Sequence, residues 1–138
     1  MRVPSLLALC LAGATALFSI VLPATAQEAA QSPVATFTGL DKITGRITTF
    51  DVWIDETVQF GALQVTPRTC REQAAGDEAR VIAFVEVDEI TLQADIQRIF
   101  SGWMFAESPG LNAIEHPVYD IWLVACKTET DVPAPGQR

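Results

Sequence analysis

The chain has 138 residues, with 17 acidic side chains against nine lysines and arginines, for a formal charge of −8 at neutral pH. That length supports one hydrophobic core and is too short for two. The acidic balance excludes nucleic-acid backbones and anionic lipid surfaces as natural partners.

Residues 1–26 read as a secretory signal. Arg2 supplies a minimal positive start, Leu6 to Leu22 is apolar apart from small residues, and Ala24-Thr25-Ala26 forms a small-x-small site with cleavage expected after Ala26. Cys10 is discarded with the signal. It is a poor lipidation site, because Leu9 is too large for the preceding position and the apolar region runs on past it. Once the signal is removed, no run approaches the roughly 18 apolar residues of a membrane span. A periplasmic protein is expected, outside the reducing cytosol.

Cys70 and Cys126 remain, an even pair in an oxidising compartment, and they read first as a disulfide. Two buried free thiols are the alternative. A bond closing residues 70–126 would stabilise the fold by roughly 4 kcal/mol in chain-entropy terms. No Cys-x-x-Cys is present, and two cysteines with the single distant His116 do not make a zinc quartet. No metal or cofactor is expected.

Residues 27–35 are small, polar and proline-bearing and read as a flexible leader, residues 36–127 as a single β domain, and residues 128–138 as a disordered tail. Thr36 to Leu40 alternates as a strand, and Asp41-Lys42-Ile43-Thr44-Gly45 reads as a hairpin connection with glycine at positive φ. Phe50, Val52 and Ile54 share a face, Asp55-Glu56 turns the chain, and Val58 to Phe60 resumes it. After Gly61, Leu63 and Val65 alternate toward Pro67, which is expected to cap that strand or mark an edge. Arg71 to Ala79 reads as a surface loop.

Val81, Ala83, Val85 and Val87 then face one way, with Ile82, Phe84, Glu86 and Asp88 opposite, so the outer face turns acidic. Ile96 to Phe105 is the next strand, with Gly102 as a bulge or close backbone approach. Ser108-Pro109 is a helix-start pattern, which predicts a short helical turn near 109–115. Val118 to Cys126 is apolar on both faces, with Ile121, Leu123 and Ala125 opposite Trp122, Val124 and Cys126, and is the candidate central strand. About seven strands result, in an antiparallel β-sandwich or small barrel.

Several separated pieces resemble a known family in order. They are Leu40 to Arg46, Phe60 to Val65 leading to Cys70, Ala83 to Val87, and the run from Phe100 to Phe105 through Ser108-Pro109, Leu111-Asn112 and His116-Pro117-Val118-Tyr119-Asp120 to Trp122 and Cys126-Lys127. Together they are similar to the exported bacterial family called domain of unknown function 2155. The resemblance implies a small, exported, two-cysteine protein, and it carries over no activity, ligand or catalytic residue.

Unusual residues concentrate between Phe100 and Trp122, around a connector too long for a simple hairpin. Leu111, Ile114, Glu115, His116 and Tyr119 are the candidate partner-binding residues, with Trp103 as a further anchor. The competing view makes the connector a lid over the core, with Trp103 and Trp122 inside it. A hydrolase built from Ser101 or Ser108 with His116 and Asp120 lacks a nucleophile-elbow motif. Carboxylate pairs such as Glu86 with Asp120 or Glu115 have no positional constraint. Asp88-Glu89 with Asp95 reads as a solvated acidic turn rather than a calcium loop. The favoured expectation is a non-catalytic module that binds another envelope protein, with an acidic inhibitor of a basic cell-wall hydrolase as the alternative.

Overall fold

The computed structural model describes residues 31–76, 78–114 and 116–137. The signal read at 1–26, with Cys10, and the start of the leader lie outside them. Among the described residues, seven strands form two antiparallel sheets. One sheet has β1 (Val34–Asp41) between β2 (Arg46–Trp53) and β7 (Tyr119–Lys127). The other runs in the order β3 (Val58–Phe60), β4 (Leu63–Ala75), β5 (Glu78–Ile90) and β6 (Ile96–Phe105). The sheets pack face to face as an open sandwich, which decides between the two architectures expected.

Period-2 patterning accounts for most of this. On β5, Ala83, Val85 and Val87 are fully buried while their neighbours Phe84, Glu86 and Asp88 lie on the outer face. Phe37, Val52, Leu63, Val65 and Leu123 meet them from the other strands. Each such side chain contributes about 1.5–3 kcal/mol when fully buried. The Cys70–Cys126 disulfide is formed, with 5.6 Å between the Cα atoms, and it joins β4 of one sheet to β7 of the other.

The central strand of its sheet is β1 rather than the segment ending at Cys126. Residues 34–39 are all buried, with Thr36 and Thr38 bonded to Asp51 and Thr49 on the outer face. β7 is an edge strand whose outer face carries half-buried Trp122 and exposed Val124. Trp103 likewise lies on an outer face, edge-on to Phe84 and under the Arg71 guanidinium. Both tryptophans sit in strand phase, but in the phase that points away from the core. Val124 is a bulge, since Phe37 pairs with Leu123 and Thr36 with Ala125. The extra residue turns Cys126 onto the same side as Leu123, against simple alternation.

Several local expectations change for similar reasons. β4 runs through Pro67, whose carbonyl accepts the Asp55 N–H at 2.8 Å. The missing proline N–H points to that same side, beyond the end of short β3, so no ladder bond is lost. Arg71 to Ala79 is not a loop but the extended β4–β5 hairpin, with Glu72 paired to Val81 and Gln73 to Arg80. Its side chains are polar because both faces meet solvent there. Gly102 pairs regularly with Val85, and the irregularity in β6 falls at Ile99. No helix forms among the described residues of the stretch 109–115. Leu111 N–H donates to Ser108 O in one turn, and Asn112 then adopts φ 61° and bonds Trp103 O through its side chain, which stops propagation.

Two chain ends are also tied down further than composition indicated. β1 begins at Val34, and Ser32 N–H bonds Cys70 O just before it. After β7 the chain crosses the outer face of its sheet. There Thr130 donates to Asp51 at 2.7 Å and the Trp53 indole N–H donates to Val132 O at 3.1 Å.

Candidate functional site

Three connections and the start of β7 meet at one end of the sandwich. They are the β1–β2 hairpin, the β3–β4 turn at Gly61-Ala62 and the β5–β6 turn. In the first, the Asp41 carboxylate accepts the N–H groups of Ile43 and Thr44 at 2.9 and 3.2 Å, and Gly45 at φ 72° closes the turn. Desolvation of the Asp41 carboxyl acts to raise its pKa, but the bonds from Thr44 and Ile43 outweigh it and hold it below the usual range.

The turn geometry aims Lys42 across the gap to β7. Its backbone N–H bonds Val118 O at 2.8 Å, and its ammonium donates to His116 O at 2.7 Å while pairing with Asp120 at 3.0 Å. His116 is buried. Its Nδ1 accepts two backbone N–H bonds, from Val118 and Tyr119, both at 3.1 Å. That assigns the ring hydrogen to Nε2, which stands 3.1 Å from Glu89 Oε1 and donates to it. Pro117 between them has no N–H to compete. Both imidazole nitrogens are therefore engaged within the protein.

The Tyr119 ring stacks on the imidazole with centroids 5.3 Å apart and meets Phe60 edge-on at 5.7 Å. Two glycines make room for these rings. A Cβ at Gly61 would lie 2.3 Å from the Tyr119 ring, and one at Gly39 would lie 2.6 Å from the Phe60 ring. Gly61 also has φ 59°, which L side chains rarely adopt. Phe50 stacks on Phe60 in turn and touches Phe37, so ring contacts run unbroken from the core to His116.

Of the candidates read from sequence, Ile114 and His116 are buried, Tyr119 is half-buried, and Leu111 is exposed. Glu115 lies outside the described residues. The connector thus contributes a core residue and a bracing histidine, as a lid would, and leaves Leu111 on the surface. Other constellations are pulled apart. Ser101 lies opposite Glu86 on the outer face of the β3–β6 sheet, and Ser108 follows β6 at the far end. Glu86 and Asp120 lie on opposite outer faces of the sandwich. Glu86 sits between Arg68 and Arg98, which reach on to Asp55 and Asp88, so this acidic face is an ion-pair ladder. Asp88 is paired with Arg98 and Glu89 with His116, while Asp95 meets Thr91 through its backbone N–H and carbonyl. Among the described residues, no group of three or more His, Cys, Asp or Glu side chains could hold a metal ion.

Sequence patterns place Lys42 in a hairpin connection, Glu89 in an acidic turn and Gly61 at a strand break, and give none of them its role at this site. Those roles are not visible in the patterns because the partners lie 27 to 74 residues away along the chain.

An uncharacterized protein of Rickettsia prowazekii (strain Madrid E), RP359, is 25% identical over 87 residues, which is 63% of this chain and 56% of the relative. The match thus spans little more than half of that relative's length. No solved structure matches the chain. Residues 35–126 match a family through all seven strands, and the chain belongs to that family, described as "Uncharacterized protein conserved in bacteria (DUF2155)".

Proposed function

We propose that this is a non-catalytic, exported binding domain of the bacterial cell envelope, and that it meets a partner protein through the end of the sandwich braced by His116. The observation that carries the reading is where the exposed apolar side chains lie. Ile43 and Ile47 stand on the β1–β2 hairpin, and Leu92 and Ile96 on the β5–β6 hairpin, at the same end. Leu92 is fully exposed and Ile43 is 77% exposed. Scattered surface leucines need no explanation, but Ile43 and Leu92 present large apolar groups at two turns of the same end, with Ile47 and Ile96 behind them on its opposite outer faces, and such a concentration at one end supports an interaction site there. The Lys42, Glu89 and Tyr119 contacts hold those hairpins to the body, so little order has to be gained on binding. A non-catalytic role is supported by the engagement of both His116 nitrogens and the separation of the serines and carboxylates. Export rests on the pattern of residues 1–26.

A photoreactive amino acid placed at Leu92, or at Ile43, tests this in bacteria that make the protein. A discrete adduct with one envelope protein is expected from both positions and not from Gln73 on the opposite hairpin. Ile43→Ser with Leu92→Ser should remove the adduct without moving the melting temperature. Equal crosslinking from Gln73, or none at all, overturns the binding end. A mature mass that does not begin at Gln27 overturns the export reading.

A further inference from the structure

At the opposite end, the chain leaving β7 folds back across the outer face and borders an open surface cavity of about 610 Å3. Trp53 walls it, and the bond from its indole N–H to Val132 O fixes the ring. Lys127, the cation in the lining, is already committed. It lies 3.1 Å from Asp51, which also accepts Thr36 and Thr130 and is only 15% exposed. Asp51 and Lys127 therefore cancel. Glu129 and Asp131 also line the cavity, are exposed, and take part in none of the ion pairs found among the described residues. What remains in the lining is an aromatic ring held in place and two exposed carboxylates outside those ion pairs.

We propose that this cavity binds the side chain of a lysine or arginine presented by a partner protein. An aromatic face attracts an organic cation through its ring quadrupole, and the apolar stem of a lysine or arginine packs against the same ring. A small hydrated metal ion gains nothing from the ring. The cavity opens to solvent, so a side chain can enter from outside, and the chain's net charge of −8 favours encounter with a basic partner. The site stands at the far end from the hairpin tips and does not depend on their role.

The test uses the full disulfide-bonded protein and follows the Trp53 indole signal by proton–nitrogen NMR, assigned through Trp53→Phe. The probes are acetyl-Gly-Lys-Gly-amide, acetyl-Gly-Arg-Gly-amide, the norleucine peptide of the same length, and D-glucosamine. A saturable shift is expected with the lysine or arginine peptide and not with norleucine. Glu129→Gln with Asp131→Asn, two exposed changes that leave the core intact, should weaken that binding about tenfold or more, because an exposed cation–π contact alone is weak. The proposal falls if neither cationic peptide saturates, or if norleucine binds equally well. It also falls if glucosamine is preferred or if the double variant binds unchanged.

Discussion

Cys70 and Cys126 each stand two residues beyond a β-bulge, one in either sheet. In β4 the unpaired residue is Arg68, since Pro67 pairs with Val85 and Thr69 with Phe84. In β7 it is Val124. Each extra residue inverts the alternation that follows, so both sulfurs turn inward from opposite sheets and meet. The bulges and the disulfide form one device. Deleting Val124 should therefore turn Cys126 to the outer face and leave two alkylatable thiols in the native protein, read by intact mass after alkylation. Replacing both cysteines by alanine should cost about 2–5 kcal/mol in denaturant unfolding. If the deletion variant still closes the bond, β7 re-registers freely and the bulge is incidental.

Gly61 separates two costs that usually come together. Gly45 and Gly76 share its positive φ, but a Cβ there would meet nothing within 4 Å, whereas at Gly61 it would run into Tyr119. Gly45→Ala and Gly76→Ala should each cost about 1–2 kcal/mol, the backbone penalty alone. Gly61→Ala adds overpacking and should cost about 2–5 kcal/mol. Equal losses at the three positions would mean that the Tyr119 ring moves aside at no cost.

Much of the architecture is legible in residue patterns, and the failures share a cause. The alternation of Val81 to Val87 names its inward face correctly, and Asp41 to Gly45 names its own turn. Alternation cannot show a bulge, which is why Cys126 reads as facing away from Leu123. It also cannot separate an apolar outer face from a second core face, so an edge strand bearing Trp122 resembles a central one. Polar residues from Arg71 to Arg80 form a hairpin because cross-strand pairing, not composition, decides the backbone there. The candidate site was harder still. The identity of His116 is visible, but its function as a brace depends on Glu89 and Lys42, and those contacts exist only after the strands assemble.

His116 should behave as a structural acceptor. The ring hydrogen should be found on Nε2 in long-range nitrogen–proton NMR spectra. His116→Ala leaves two backbone N–H groups and Glu89 without a partner, and should cost about 2–4 kcal/mol. His116→Asn can still accept from the same N–H groups through its side-chain oxygen and should recover about half of that. If alanine and asparagine are equally destabilising, the two backbone bonds contribute little. A hydrogen found on Nδ1 would contradict the geometry outright.

Acid should weaken the attachment of the chain after β7. Partial burial of the Asp51 carboxyl acts to raise its pKa, but hydrogen bonds from Thr36, Thr130 and Lys127 outweigh that and hold it below the ordinary value of 3.8. A folded-state pKa below the unfolded one stabilises the fold above the unfolded value, and that stabilisation is lost as pH falls through the folded one. The unfolding free energy of the parent should therefore decline as pH falls below about 4. Asp51→Asn should start lower and decline less over the same range. Parallel pH profiles would place the acid sensitivity elsewhere.

The connector divides at Leu111 and Ile114, and stability measurements can separate its halves. Leu111 is 56% exposed and lies just before Asn112, whose side chain anchors the turn to Trp103 O. Ile114 is only 4% exposed and packs in the core with Ile121, Leu123 and Met104. Leu111→Ser should therefore change stability by no more than about 0.5 kcal/mol, as surface changes do. Ile114→Ala removes a buried branched side chain and should cost about 2–5 kcal/mol, depending on how far the connector collapses into the space. Partner capture through Leu92 should survive Leu111→Ser, because that contact is assigned to the hairpin tips. Loss of capture with Leu111→Ser at unchanged stability would move the interface onto the connector. A small cost for Ile114→Ala would mean that the connector lies over the core without sealing it, so that His116 and Lys42 hold the lid by polar contacts alone.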